Sequence, residues 1–340
     1  MNYKEKYIKY KKKYINYKLK YINNKHILVG GIPLVHEFRD TLNNSTQFPS
    51  RMAHCESILH SIIAYIVKFT GNWGYNLDSF IFIENVNEKH LIKRGKYQNI
   101  DVKERARIKC KEIEHISDHN PGIIRVGFNN NPTLEFDCIT LNLEGLCVKP
   151  SEHKDITLPS ISLSRLNALR YFLMNEIKQE GSIILIQEII LKSHNIENMN
   201  MMALRNIYEI QKMLPNEYNY KYDNYTSVVL FDTRLWEYID EINIFRTNMK
   251  KLLKKSNAYK LRCRITKKEI IIVNIHLKAH IDFKSVFFGM KDKRYYELKN
   301  IIDKIKHFSN NFTIDIILGG DFNSILDKTD IHNILESLDK

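Results

Sequence analysis

Polar side chains capable of acid, base or metal chemistry stand at the ends of four apolar runs. Asn142, Glu188 and His276 each close or directly follow such a run, and Asp321 and Asn323 follow the last one. Taken singly, a polar residue just past a strand is usually a turn former or a helix cap. Together, carboxylate and amide oxygens are hard ligands suited to Mg²⁺, and a nearby histidine can donate a proton or hydrogen-bond to phosphate. The joint pattern therefore predicts a divalent-metal site with an acid–base histidine beside it.

Short motifs around these residues resemble those of the endonuclease/exonuclease/phosphatase superfamily. Residues 319–324 (GGDFNS) are similar to its Gly-Asp-Phe-Asn signature, and residues 186–189 (IQEI) to its Leu-Gln-Glu-Val element. Residues 273–278 (VNIHLK) resemble its Asn-Thr-His-Leu element, and residues 140–143 (TLNL) its first strand, which ends in Asn. These motifs follow one another in the family's order. The resemblance implies a metal-dependent hydrolase acting on phosphoric ester bonds.

Two further family features stand in an unusual place. Family members continue beyond the Asp-x-Asn pair to an Asp in a hydrophobic strand and end in Ser-Asp-His, but residues 324–340 hold neither. One alternative is a broken active site. However, residues 117–121 read SDHNP, and residues 76–82 (NLDSFIF) resemble the Asp-bearing strand, with Asn76 where Arg is usual. Because the family's last strand lies close to its first, a turn at residues 129–132 (NNNP) can join them, and the resemblance implies a circular permutation.

The resemblance implies a metal-side role for three residues. Glu188 is expected to be the principal metal ligand, and Asn142 to help hold metal or phosphate. Asp118 is expected to be a second metal-side carboxylate. The expected ion is Mg²⁺, with Mn²⁺ as an alternative, because Mg²⁺ keeps several waters and needs few protein ligands.

It also implies five catalytic residues. Asp321 is expected to position and activate the attacking water, and Asn323 to bind phosphate oxygens or a water on the metal. His119 would contact the scissile phosphate, with Asp78 fixing its orientation, and His276 would hydrogen-bond to phosphate or the leaving group. The sequence leaves open which residue is the general base, since several carboxylates and histidines share the site.

The fold that the resemblance implies is DNase I-like: a four-layer α-β-β-α sandwich with two mixed β-sheets, circularly permuted. Alternating short apolar β-rich runs and longer amphipathic stretches independently predict one mixed α/β domain over residues 34–340. Strands are predicted at 79–84, 123–128, 136–143, 183–189, 227–231, 261–266, 270–275 and 314–318, and helices at 53–69, 162–179, 199–214 and 291–308.

Residues 1–28 form a separate basic leader. Tyrosines recur in steps of four and three and isoleucines every seven residues, which predicts a heptad helix. We favour a solvated helix that packs on its own domain or on a second copy over a basic arm that touches nucleic acid. Such Tyr/Lys/Ile leaders resemble those on many proteins of giant DNA viruses, which indicates a viral source. The repeating residues are Tyr3, Tyr7, Tyr10, Tyr14, Tyr17 and Tyr21, with Ile8, Ile15 and Ile22.

Composition restricts the compartment and the partners. A net charge of +13 favours a polyanionic partner. The five cysteines include no Cys-x-x-Cys pair, which disfavours a disulfide framework or a zinc ribbon. With no apolar run near the length of a membrane span and no secretory signal, we expect an intracellular, cytoplasmic protein, in the host cytoplasm or virion if viral.

The substrate follows from the resemblance and the charge together. Residues 276–279 and 321–324 look most like the deadenylase and nocturnin branch of the superfamily, which with the basic charge favours a nuclease acting on phosphodiester bonds of nucleic acid. The basic stretch 250–264 could track a phosphate backbone, or be a solvated helix and hairpin face. The alternatives are a phosphoinositide or sphingolipid phosphoesterase, and a non-catalytic polyanion-binding protein that retains the fold.

Overall fold

The computed structural model describes residues 78–85, 87–88, 90–100, 102, 105, 116–117, 119–146, 162–177, 179–190, 196–223, 226–246, 255–277 and 293–322, with the backbone of residues 35–38. The predicted leader, the predicted helix at 53–69, Asp118 and Asn323 lie outside the described residues, as does the side chain of Asp78. Within them, no helix is long and apolar enough to cross a membrane.

Most of the described elements are strands, with helices inserted between some of them. In chain order, the strands are β1 (Val35–Phe38), β2 (Asp78–Ile83), β3 (Leu91–Lys93), β4 (Gln98–Asn99), β5 (Gly122–Phe128), β6 (Asn131–Asn142), β7 (Ile183–Gln187), β8 (Tyr218–Tyr222), β9 (Val228–Asp232), β10 (Trp236–Arg246), β11 (Lys255–Cys263), β12 (Glu269–His276) and β13 (Asp315–Asp321). The helices are α1 (Leu163–Asn175), α2 (Ile196–Gln211) and α3 (Lys293–Phe308).

The strands form two mixed sheets. The first is six-stranded, in the order β1-β2-β13-β12-β11-β10, and β12 and β13 are parallel. The second is seven-stranded, in the order β3-β5-β6-β7-β9-β8 with β4 beside β5, and β6 and β7 are parallel. Each parallel pair lies next to antiparallel neighbours. The two parallel pairs position the site described below.

Side chains of successive residues on the central strands point to opposite layers. On β12, Ile270 and Ile272 pack between the two sheets, whereas Ile271 and Val273 pack against α3. On β7, Ile183 and Leu185 likewise face the space between the sheets, whereas Ile184 and Ile186 face the layer of α1 and α2. Burial on both faces explains why these strands are continuous apolar runs instead of alternating ones. The predicted four-layer sandwich with two mixed sheets is confirmed.

Several predicted boundaries were wrong. The strand expected at 261–266 ends at Cys263 and begins at Lys255, because residues 264–266 form the turn that leads into β12. The helical face considered for the basic stretch 250–264 is, over its described part, this same strand. Arg262 pairs with Glu269 at 2.7 Å, and Arg264 Nε donates to the Thr233 carbonyl at 2.8 Å, at the end of the sheet opposite His276.

Candidate functional site

The carboxyl ends of the two parallel strand pairs meet at one edge of the sandwich. In the first sheet, Asp321 at the end of β13 is level with His276 at the end of β12. Asp78 at the start of the antiparallel strand β2 is the register partner of Asp321 on its other side. In the second sheet, Asn142 at the end of β6 is level with Gln187, and Glu188 comes next. The topology therefore brings residues that are distant in the sequence to the same edge of the sandwich.

One carboxylate oxygen is the centre of this cluster. Asn142 Nδ2 donates to Asp321 Oδ2 at 3.3 Å. His276 Nε2 lies 3.8 Å and His119 Nε2 3.9 Å from the same oxygen. His276 Nε2 also lies 3.2 Å from Glu188 Oε1, so an imidazole stands between the two carboxylates. The structure thus brings together five of the residues singled out in the sequence.

The cluster is withdrawn from water. Asp321 is fully buried, and Glu188 exposes 5% of its surface. Removing carboxylates from water is costly unless they are paired or hydrogen-bonded, and here each has an imidazole nearby and Asp321 also an amide donor. A low local dielectric strengthens every charge interaction inside the cluster. A divalent cation would find two buried negative groups there.

The backbone at the two strand ends is held in unusual conformations. Glu188 has a positive φ of 49°, a left-handed conformation uncommon for a residue with a side chain. Two hydrogen bonds fix it against the chain after β6: Leu143 N donates to Gln187 O at 3.0 Å, and Gly145 N to Glu188 O at 2.8 Å. Gly320, directly before Asp321, has a φ of 137°, and a Cβ there would collide with the carbonyl oxygen of Ile275. Only glycine fits at this position.

Two buried side-chain amides, Gln187 and Asn274, link the two sheets next to the cluster; we call them the inter-sheet amide pair. Gln187 Nε2 donates to Asn274 Oδ1 at 2.6 Å, and Gln187 Oε1 accepts from the Thr140 hydroxyl at 3.2 Å. Asn274 Nδ2 in turn donates to the carbonyls of Ile186 at 2.8 Å and Val228 at 2.9 Å. Gln187 adjoins Glu188, and Asn274 lies two residues before His276. The inter-sheet amide pair therefore fixes the distance between the strand end that carries Glu188 and the strand end that carries His276.

Asn274→Ala is expected to lower the free energy of unfolding by about 2–4 kcal/mol. It removes the hydrogen bonds that Asn274 makes with Gln187 and with the carbonyls of Ile186 and Val228. A buried polar group that loses its partner costs about 1–3 kcal/mol. Urea denaturation followed by circular dichroism measures this loss. Asn219→Ala, at an exposed position on β8, is the matched control and should stay within about 0.5 kcal/mol of the parent. Equal losses in the two variants would show that the inter-sheet amides contribute no special stability.

His119 is presented by a compact turn that precedes β5. The backbone N of His119 donates to the Ser117 hydroxyl at 2.9 Å, and that hydroxyl donates back to the carbonyl of His119 at 3.1 Å. These two hydrogen bonds fix the backbone of His119, whose imidazole reaches to 3.9 Å from Asp321 Oδ2. Asp78, expected to orient His119, is placed beside Asp321 by backbone register alone.

Two residues near the site, Glu144 and Arg165, make contacts that the sequence analysis did not predict. Glu144 lies in a left-handed turn just after Asn142, and its N–H donates to Asn142 Oδ1 at 3.0 Å. Arg165, on α1, contacts Glu144 at 3.5 Å. The signal for Arg165 was present in the sequence, because it occupies the buried, otherwise apolar stripe of its helix, with Ala168, Leu169, Phe172 and Leu173.

The carboxylates of the cluster are ligands of the kind that a divalent cation takes. Among the described residues, no three His, Cys, Asp or Glu side chains are arranged as a complete ligand set. The carboxylates of Glu188 and Asp321 lie on either side of His276 Nε2. The Asn142 carboxamide presents its Nδ2 to Asp321, and its Oδ1 accepts from the N–H of Glu144. Mg²⁺ is commonly held by one or two carboxylates and retains several waters, and Mn²⁺ accepts similar ligands. Glu188, with Asp321 nearby, therefore supplies carboxylate oxygens that a divalent cation could use.

Comparison with known proteins gives structural matches only. No protein-family model and no curated protein matches the sequence. The endonuclease/exonuclease/phosphatase from Bacteroides vulgatus matches with 16% identity and a TM-score of 0.38, over 59% of this chain and 70% of that one. The human nocturnin catalytic domain with bound sulfate matches with 15% identity and a TM-score of 0.34, over 51% and 62%. Humanized D. rerio TDP2 matches with 13% identity and a TM-score of 0.34, over 49% and 61%. The chain spans about three fifths of the length of the latter two structures.

Proposed function

We propose that this chain is a divalent-metal-dependent phosphoesterase that hydrolyses phosphodiester bonds, with nucleic acid as its substrate and Mg²⁺ as its ion. The observation that carries the proposal is the buried cluster in which His119, His276 and Asn142 surround Asp321, with Glu188 beside His276. This cluster combines a base, two proton or hydrogen-bond donors and a metal-side carboxylate. Those are the groups that hydrolysis of a phosphoester requires.

The residues divide the reaction among them. The attacking water loses a proton to the Asp321 carboxylate while its oxygen bonds to phosphorus. The P–O bond to the leaving group breaks in line, and the departing oxygen takes a proton from His276. His119 donates a hydrogen bond to the phosphate, where negative charge accumulates. Glu188 and Asn142 would hold the ion, which when bound supplies stabilisation of that developing charge.

We also propose that the chain is circularly permuted relative to the superfamily it resembles. Strands β5 and β6 form a hairpin in which Phe128 and Asn131 are register partners, so a two-residue turn joins them. This is the connection expected between the family's last and first strands. His119, just before β5, also lies within 4 Å of Asp321, at the end of β13, although about 200 residues separate them. Both observations support a site whose residues come together in a changed order along the chain.

The choice of nucleic acid rests on charge. With a net charge of +13, the chain would attract a polyanion and lose affinity as salt screens that attraction. A phosphoinositide or sphingolipid headgroup is a separate substrate class, which a substrate panel distinguishes.

Metal removal is the direct test of the proposed function. Labelled single-stranded RNA, single-stranded DNA, a phosphoinositide and sphingomyelin are each incubated with the full chain and Mg²⁺. We expect nucleotides to be released from nucleic acid, EDTA to abolish release, and added Mg²⁺ or Mn²⁺ to restore it. Hydrolysis of the lipid substrates alone would replace the nucleic-acid assignment. Absence of turnover on all four substrates at micromolar protein would contradict an esterase.

A further inference from the structure

An arginine is buried in the helix that covers the second sheet. Arg165 exposes 5% of its surface and occupies the same stripe of α1 as Ala168, Leu169 and Phe172. An arginine costs free energy at such a position unless its charge and its N–H groups are satisfied. The contacts that offset this cost therefore indicate the role of Arg165.

The guanidinium joins two segments, each of which is next to a residue of the candidate site. Its Nε donates to the carbonyl of Ile116 at 2.7 Å, and its Nη2 donates to the carbonyl of Leu143 at 2.7 Å. The same Nη2 lies 3.5 Å from Glu144 Oε2. Ile116 leads into the turn that presents His119. Leu143 and Glu144 follow Asn142 directly.

The helix that carries the arginine is itself tied to this place. Ser162 caps α1, and its hydroxyl accepts from the N–H of Arg165 at 3.5 Å. The N–H of Ser162 donates to the carbonyl of Leu146 at 2.8 Å. The backbone of Arg165 is thus held, through Ser162, to Leu146, in the same segment whose residues Leu143 and Glu144 its guanidinium contacts. Little freedom is left for the guanidinium to move away from Ile116.

We propose that Arg165 is a positioning residue, which holds the turn bearing His119 against the end of β6 so that His119 stays beside Asp321. This inference rests on the proposed function. The hydrogen bonds between Ser117 and His119 shape the turn but span only two residues. Arg165 instead links that turn to Leu143 and Glu144, which directly follow β6, so it fixes where the turn lies and not only its shape.

The chemistry of arginine suits this task better than that of lysine. The planar guanidinium presents five donors in a fixed fork, so it can serve two carbonyls and a carboxylate at once. A lysine at this position would keep the charge but has a single donor atom. A methionine would fill part of the volume and leave both carbonyls without this donor. The two substitutions therefore separate charge from geometry.

The test compares Arg165→Lys and Arg165→Met with the same changes at Arg170, which is exposed on the same helix. Steady-state kinetics are measured on whichever phosphoester the parent hydrolyses. We expect kcat to fall about 10- to 100-fold in Arg165→Met with KM within about threefold, and Arg165→Lys to recover part of kcat. The Arg170 variants should match the parent. An unchanged kcat in Arg165→Met would overturn the proposal.

Amide hydrogen exchange gives a readout that does not depend on activity. The His119 amide, which donates to Ser117, should exchange at least about tenfold faster in Arg165→Met, while amides in the centre of β12 keep their parental rates. A parental rate at His119, or a uniform rise throughout the protein, would reject the positioning role. If the parent hydrolyses nothing, the proposed function fails, and the His119 exchange rate still decides whether Arg165 holds the turn.

Discussion

Asp321→Asn should lower kcat by about 10²- to 10⁴-fold, the range expected when a general base is lost. The substitution preserves shape but removes the negative charge that two imidazoles and an amide surround. It also leaves the Asn142 amide facing a weaker acceptor, or an opposing N–H₂ group, in place of Oδ2. KM should change far less than kcat, because the carboxylate acts on the attacking water more than on the bound substrate.

Single-turnover and steady-state kinetics on the best substrate of the panel measure this effect. Asp303→Asn, at an exposed position on α3, is the matched control and should retain full activity. Thermal unfolding of both variants checks that the fold is intact. A loss smaller than about tenfold in Asp321→Asn would remove Asp321 from the reaction and leave it as a structural group.

Glu188→Gln is expected to weaken the apparent affinity for Mg²⁺ or Mn²⁺ by at least about 100-fold, more than is typical for a group that only supports a ligand. Glutamine keeps one carbonyl oxygen but loses the charge that attracts the ion. Activity should remain low even at saturating metal, because His276 also loses its carboxylate neighbour at 3.2 Å.

Titration of activity with Mg²⁺, and of Mn²⁺ binding by electron paramagnetic resonance, gives the two affinities. Glu217→Gln, exposed ahead of β8, serves as the control for the change in net charge. An unaltered metal titration in Glu188→Gln would place the ion elsewhere or show that none is needed.

The sequence predicted the strands that the sandwich buries on both faces. β7 and β12 are continuous apolar runs, because one layer of side chains meets the other sheet and the alternate layer meets helices. β10 was missed: Glu237, Asp240, Glu241 and Asn243 interrupt its apolar positions, as is common on an edge strand with solvent-facing side chains. β3 and β4, with three and two residues, are too short to show any periodicity.

The candidate site was predictable only in part, and for a physical reason. Glu188, His276 and Asp321 could be found because a polar side chain directly after an apolar run is visible in the sequence. The inter-sheet amide pair, Gln187 and Asn274, could not be predicted, because each amide lies among apolar residues in the sequence and its partner belongs to the other sheet. The contacts of Arg165 were not predictable either, because two of its partners are backbone carbonyls, which every residue has whatever its type. The roles assigned to all eight site residues stay predictions, and Asp118, Asn323 and the side chain of Asp78 also lie outside the described residues.

The most direct measurement is a double-mutant cycle in kcat between His119→Ala and Asp321→Asn. Residues that act as one unit show strongly non-additive losses. If the early histidine and the late carboxylate serve one centre, the double variant will be about as slow as the slower single variant. If the two losses multiply, or if His119→Ala keeps parental activity, the two residues do not share a catalytic centre.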